Sequence, residues 1–121
     1  MHIDLSSTTL DDKNVEALTT CIKNLKLKNL SLHLSNIKLS DDQYEKVMKS
    51  LEGMKSLKIL HLEMENVNLN NKKRKRIESL IESLPDLTHV SINLRNNNIS
   101  EEDANYMNSL LNRFAVRHFF F

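Results

Sequence analysis

The sequence predicts an α/β fold of stacked strand–helix units, and three observations predict it. Apolar residues return in register every 30 positions: Leu27, Leu57 and Leu87; Leu30, Leu60 and Val90; Leu32, Leu62 and Ile92; Leu34, Met64 and Leu94; Leu39, Leu69 and Ile99. Each period has two halves, one alternating apolar and polar, the other apolar at helical spacing. Residues that favour helix N-caps, Ser40, Asn70 and Ser100, separate the halves at the same 30-residue step, which Asn36, Asn66 and Asn96 also keep. A fixed period of this size means stacked supersecondary units, because one strand and one helix cannot bury both of their apolar faces alone.

The first unit runs one residue short. Ile3, Leu5 and Leu10 precede Leu32, Leu34 and Leu39 by 29, and Asp11 precedes Ser40 by the same step. The expected strands lie near 2–6, 30–34, 60–64 and 90–94. The second reads Leu30-Ser-Leu-His-Leu34, the period of a half-buried strand. The helices follow. Val15, Leu18, Ile22 and Leu25 line the first, and Tyr44, Val47, Met48, Leu51 and Met54 the second. Ile77, Leu80, Ile81 and Leu84 line the third, and Met107, Leu110, Leu111 and Phe114 the fourth. Asp11, Ser40, Asn70 and Ser100 can each accept from a free first-turn amide, and Ser40 with Gln43 fits a capping box. Gly53 and Pro85 stand where the second and third helices should stop. The result is one domain, 1–121, with units at about 1–26, 27–56, 57–86 and 87–116 and a tail at 117–121. Val116, Phe119 and Phe121 sit 29 after Leu87, Val90 and Ile92, so the tail reads as the opening of a fifth strand, against a non-polar cap over the last unit.

These residues resemble the leucine-rich repeat family, in its ribonuclease-inhibitor-like, helix-containing class. The fourth unit carries the signature best, as His89-x-x-Ile92-x-Leu94-x-x-Asn97-x-Ile99. The resemblance implies a curved solenoid with a parallel sheet on the concave side and helices on the convex side. It implies that Asn97 bonds the backbone of its turn, and that the molecule binds other proteins. Thr8, Ile37 and Val67 stand at the equivalent positions, so a regular asparagine ladder is not implied and those turns should be looser.

Composition narrows the function. The net charge is +1 with 27% charged residues, so no global field points to nucleic acid or a membrane surface. No apolar run approaches the roughly 20 residues of a membrane helix. The opening Met-His-Ile-Asp-Leu lacks a basic stretch followed by an apolar one, so no secretory signal is expected. One cysteine cannot form an internal disulfide. An intracellular, cytoplasmic protein is expected, with the nucleus open as a second compartment.

No catalytic constellation stands out. With Gly53 the sole glycine there is no glycine-rich phosphate loop, and neither H-E-x-x-H nor paired C-x-x-C occurs. The expectation is therefore no enzyme, no cofactor and no metal. Cys21, beside Ile22 on the apolar helix face, reads as a small buried residue.

The outward strand positions fall into columns: His2, Ser31, His61 and Ser91; Asp4, His33, Glu63 and Asn93; Ser6, Ser35, Glu65 and Arg95. Of these, Ser31, His33, Ser35, His61, Glu63, Glu65, Ser91, Asn93 and Arg95 form the candidate protein-binding face. A plain solvated surface is the other reading, and a metal site from His33, His61 and Glu63 the weaker alternative.

Lys72, Lys73, Arg74, Lys75 and Arg76 open the third helix, where the helix dipole disfavours cations. They read as a solvated surface or as an import or polyanion patch. The expected function is a non-enzymatic protein–protein interaction scaffold. Its rival is a nuclear or nucleic-acid-associated factor using 72–76. A homodimer joined through an end of the solenoid is a further expectation, since a parallel sheet leaves two open edges.

Overall fold

In a computed structural model the chain is α/β, with a five-stranded parallel sheet and four helices. The structure describes residues 1–114 and 116–121. The elements alternate as β1 (His2–Asp4), α1 (Asp12–Lys23), β2 (Asn29–His33), α2 (Asp41–Glu52) and β3 (Ile59–Glu63). They continue as α3 (Asn71–Ser83), β4 (His89–Asn93), α4 (Glu101–Leu110), a 3-10 turn (Leu111–Arg113) and β5 (Val116–Phe120). Strand order in the sheet follows sequence order. Every strand therefore lies beside the next one along the chain, joined by one helix.

The pairing register reproduces the sequence steps. Ile3 pairs Leu32, Leu32 pairs Leu62, and Leu62 pairs Ile92. These inward positions stack into layers. Leu30, Leu60 and Val90, then Leu32, Leu62 and Ile92, then Leu34, Met64 and Leu94, are all 2% exposed or less. Val15, Ile22, Tyr44, Val47, Met48, Leu51, Ile77, Leu80 and Ile81 close the same core from the helix side. α1 packs beside α2, and α2 beside α3.

Helix starts are set by side chains. Asp11, Ser40, Asn70 and Ser100 each accept from the amide three residues on, at 2.7, 3.2, 2.9 and 3.2 Å. Each satisfies a donor the helix cannot. The Ser40–Gln43 capping box is closed by the Ser40 amide on Gln43 Oε1, 3.0 Å. α2 stops at Gly53 and α3 at Leu84, just before Pro85. Gly53 has φ −69°, so its freedom is not used there.

The turn after each of the strands β1 to β4 is left-handed. Ser7, Asn36, Asn66 and Asn96 have φ of 59°, 59°, 53° and 61°. Asparagine tolerates this region better than most residues, which accounts for its 30-residue recurrence. The turns extend the ladder: amides of Ser7, Asn36 and Asn66 donate to Ser35, Glu65 and Arg95 carbonyls at 2.9–3.1 Å. Asn97 adds a single buried rung. Its Oδ1 accepts from the Val67 and Leu69 amides, and its Nδ2 donates to the Met64, Leu94 and Arg95 carbonyls. Ile37 is buried without such bonds, and Thr8 donates only to the Leu5 carbonyl.

Three expectations are corrected. The tail is a fifth strand, but its register is 27 after β4 rather than 29: Val90 pairs Arg117 and Ile92 pairs Phe119. The cause is a shorter helix, 10 residues in α4 against 13 in α3. Leu111 and Phe114 accordingly fill the places of Leu84 and Leu87, each pair closed by the same backbone bond, and Leu110 is only half-buried. Cys21 is exposed rather than buried. It lies with Ile3, Leu5 and Leu18 along an open groove at the β1 end of the sheet, where no described element covers α1. β1 itself is short, His2–Asp4, because the chain turns once Asp4 takes the Ser6 amide.

Two stability measurements follow. Leu62→Ala should lower the unfolding free energy by roughly 2–5 kcal/mol, through the cavity it leaves. His61→Ala, on the opposite face, should cost much less. Comparable losses in urea unfolding would contradict the register. Asn97→Ala should cost roughly 2–4 kcal/mol, since buried amides and carbonyls lose their partners together. Thr8→Val removes one exposed hydrogen bond and should cost below about 1 kcal/mol. Equal shifts in the urea midpoint for these two would refute the single-rung account.

Candidate functional site

The outward sheet face and the start of α3 hold the residues singled out from sequence. Parallel pairing aligns the face in two strand columns. The first is His2, Ser31, His61, Ser91 and His118. The second is Asp4, His33, Glu63, Asn93 and Phe120. Ser6, Ser35, Glu65 and Arg95 follow just past the strand ends.

The face is hydrogen-bonded across its strands. At its centre Glu63 takes His61 Nε2 on Oε1 at 2.8 Å and Asn93 Nδ2 on Oε2 at 2.7 Å. His33 is the register partner of Glu63, yet His61 makes the contact, because residues two apart on one strand share a face. His33 turns instead to Ser31 Oγ, 3.1 Å away, and the same hydroxyl meets His2 Nδ1 at 3.2 Å. The rings of His2 and His33 meet edge-on at 4.5 Å, and those of His33 and His61 lie 5.4 Å apart. Asp4 Oδ1 accepts from the Ser6 amide at 2.9 Å. That bond, chiefly, holds its carboxyl below the usual range, aided by the Ser6 side chain and the two imidazoles.

Further along, Ser35 Oγ accepts from the Glu65 amide at 3.1 Å, and Asn96 Nδ2 donates to Glu65 Oε1 at 2.7 Å. Arg95 lies 4.8 Å over the Phe120 ring, a cation–π contact to an aromatic that stays exposed. A depression of about 180 Å³ opens between β3, β4 and β5, with Ile59, His61, His89, Ser91 and His118 among its lining. Asn93 and Asn96 carry bonds that sequence reasoning did not assign. Their 30-residue equivalents Glu63 and Asn66 were the available signal.

The basic run is divided by the helix period. Lys73 Nζ bonds the Leu39 carbonyl at 3.3 Å, lies 3.8 Å from Asp41 and sits over the Tyr44 ring. Arg76 is held by Glu45 at 2.9 Å and by Glu52, whose carboxyl it pushes below the usual range. Arg74 is 6% exposed, paired with Glu78 at 2.5 Å and reaching Asp103 of α4 at 3.3 Å. Its Nε is buried with no partner among the described residues. Burial pushes the Glu78 carboxyl up in spite of that arginine. Lys72 and Lys75 are exposed. Acids of α2, α4 and α3 itself thus pair three of the five cations.

Among the described residues, no helix is long and apolar enough to cross a membrane. Compared with known proteins, the chain matches no family model and no curated sequence.

Arg74→Ala should destabilise by on the order of 3 kcal/mol, because it strands the largely covered Glu78 carboxyl, 12% exposed, beside the core. Lys72→Gln with Lys75→Gln should stay within about 0.5 kcal/mol of the parent. Thermal unfolding that ranks these variants the other way would overturn the division of the run.

Proposed function

We propose that the protein is a non-enzymatic interaction module of the leucine-rich-repeat type. In this reading the units curve as a solenoid, with the sheet on the concave side and the helices on the convex side. The concave face, Ser31, His33, Ser35, His61, Glu63, Glu65, Ser91, Asn93 and Arg95, takes a protein partner. The compartment proposed is the cytoplasm.

The observation that carries this reading is the cross-strand order of the outward face. The His61–Glu63–Asn93 cluster and the Glu65–Asn96 bond hold polar side chains in place before a partner arrives. Preordered groups lose less freedom on binding, which is how a polar surface gains affinity. Donors and acceptors of mixed charge suit a polar, mixed-charge protein surface. The rival use of 72–76 for nuclear import or nucleic acid is weakened by the engagement of Lys73, Arg74 and Arg76.

A photo-crosslinking residue placed at position 91, on the sheet face, should capture one protein from lysate of the source cells. The same group at position 46, on the helix side, should not. Glu65→Lys with Arg95→Glu should weaken that capture about tenfold or more, as expected for lost interfacial charge complementarity. Identical capture from both positions, or capture that depends on Lys72 and Lys75, would contradict this use of the face.

A further inference from the structure

We propose that His2, Asp4 and His33 form a site for one divalent transition-metal ion, with zinc as its natural probe. The site lies at the β1 edge of the outward face and shares His33, with Ser31 beside it, with the proposed interaction face.

Topology brings the three together. His2 and Asp4 are two apart on β1, so both point to the same face. Parallel pairing sets Asp4 opposite His33 and His2 opposite Ser31. A ligand atom from each of the three lies within 4.8 Å of the others. Bonds of about 2.0–2.1 Å in a tetrahedral zinc site put donors roughly 3.4 Å apart. The remaining difference is within side-chain rotation, because His2 and Asp4 are exposed and unhindered on their solvent side.

Ser31 supplies an independent argument. One hydroxyl meets Nδ1 of His2 and Nε2 of His33, at 3.2 and 3.1 Å. A hydroxyl oxygen can accept two N–H groups. If both rings donate to it, Nε2 of His2 and Nδ1 of His33 keep their lone pairs. Ligating imidazoles usually place their other N–H on a neighbouring acceptor, which fixes tautomer and orientation. Here one residue would do this for both rings. The Ser6 amide donates to Asp4 Oδ1, which holds the carboxylate on this face.

The donor set selects the ion. Two imidazoles and a carboxylate suit zinc, iron, cobalt or nickel, whereas calcium and magnesium call for oxygen ligands throughout. The solvent side of the edge strand leaves room for water to complete the shell. His61 is not needed, since its Nε2 is already committed to Glu63. A bound ion would tie the three-residue β1 to β2.

The test is calorimetric titration of the untagged full chain with zinc in a buffer that does not bind metal. One ion per chain is expected, with a higher thermal midpoint. Asp4→Asn and His33→Ala should each weaken binding about tenfold or more. Ser31→Ala should weaken it by about 10–100-fold, the usual cost of losing an orienting partner. His61→Ala and Glu63→Gln should leave it unchanged. Circular dichroism checks that each variant keeps its fold. Three results would overturn the site. One is no zinc binding by the parent. Another is loss with His2→Ala alone while His33→Ala and Asp4→Asn still bind, which marks chelation by the chain terminus. The third is loss with His61→Ala as large as with His33→Ala, which moves the ion to His33, His61 and Glu63.

Discussion

Everything in this molecule depends on neighbouring strands meeting in parallel, at a step of 29 or 30 residues from β1 to β4 and of 27 from β4 to β5. A five-residue strand with a 12- or 13-residue helix exposes too much apolar surface to be stable alone. Stacking removes that surface from water in layers, at about 25 cal/mol per Å². Because strand side chains alternate with period two, the register that stacks Leu32, Leu62 and Ile92 inward must also line up Ser31, His61 and Ser91 outward. A slip of one residue would bury the histidines and expose the leucines. The polar face is thus a consequence of the core.

Ends and turns protect that register. Four N-caps start the helices at matching points. Left-handed Ser7, Asn36, Asn66 and Asn96 let the backbone leave each strand; those of Ser7, Asn36 and Asn66 still donate to the next unit. Asn97 binds five backbone groups from one buried position. Polar groups that would be costly to bury are therefore matched locally, which leaves the interior to packing.

Most of this was legible in the sequence, because a repeat shows each constraint several times. Strand positions, inward layers, outward columns and caps all follow from one period. The lost register of β5 was not legible. A three-residue shortening of α4 leaves the apolar letters in place, and Phe114 fits the 30-residue step although it takes the place of Leu87. Cys21 misled for a related reason. Helical period put it beside Ile22 on an apolar face, but Val15 and Ile22 take the core side of α1 and Cys21 is left on the open groove. The pairing of the basic run was hidden by distance, since Arg76 finds its acids 31 and 24 residues away. On the outward face the columns were readable, whereas the choice of His61 over His33 as partner of Glu63 depends on rotamers that no letter encodes.

The central claim is that each unit owes its order to its neighbours, and native-state hydrogen exchange tests it most directly. The amides of Leu34, Met64 and Leu94 occupy equivalent places in three successive strand interfaces, donating at 2.7, 2.9 and 2.6 Å. If the units stand only by stacking, these amides should exchange through one shared opening whose free energy equals that of global unfolding. Separate opening energies, each well below the global value, would mean that the units are stable by themselves and would contradict the account.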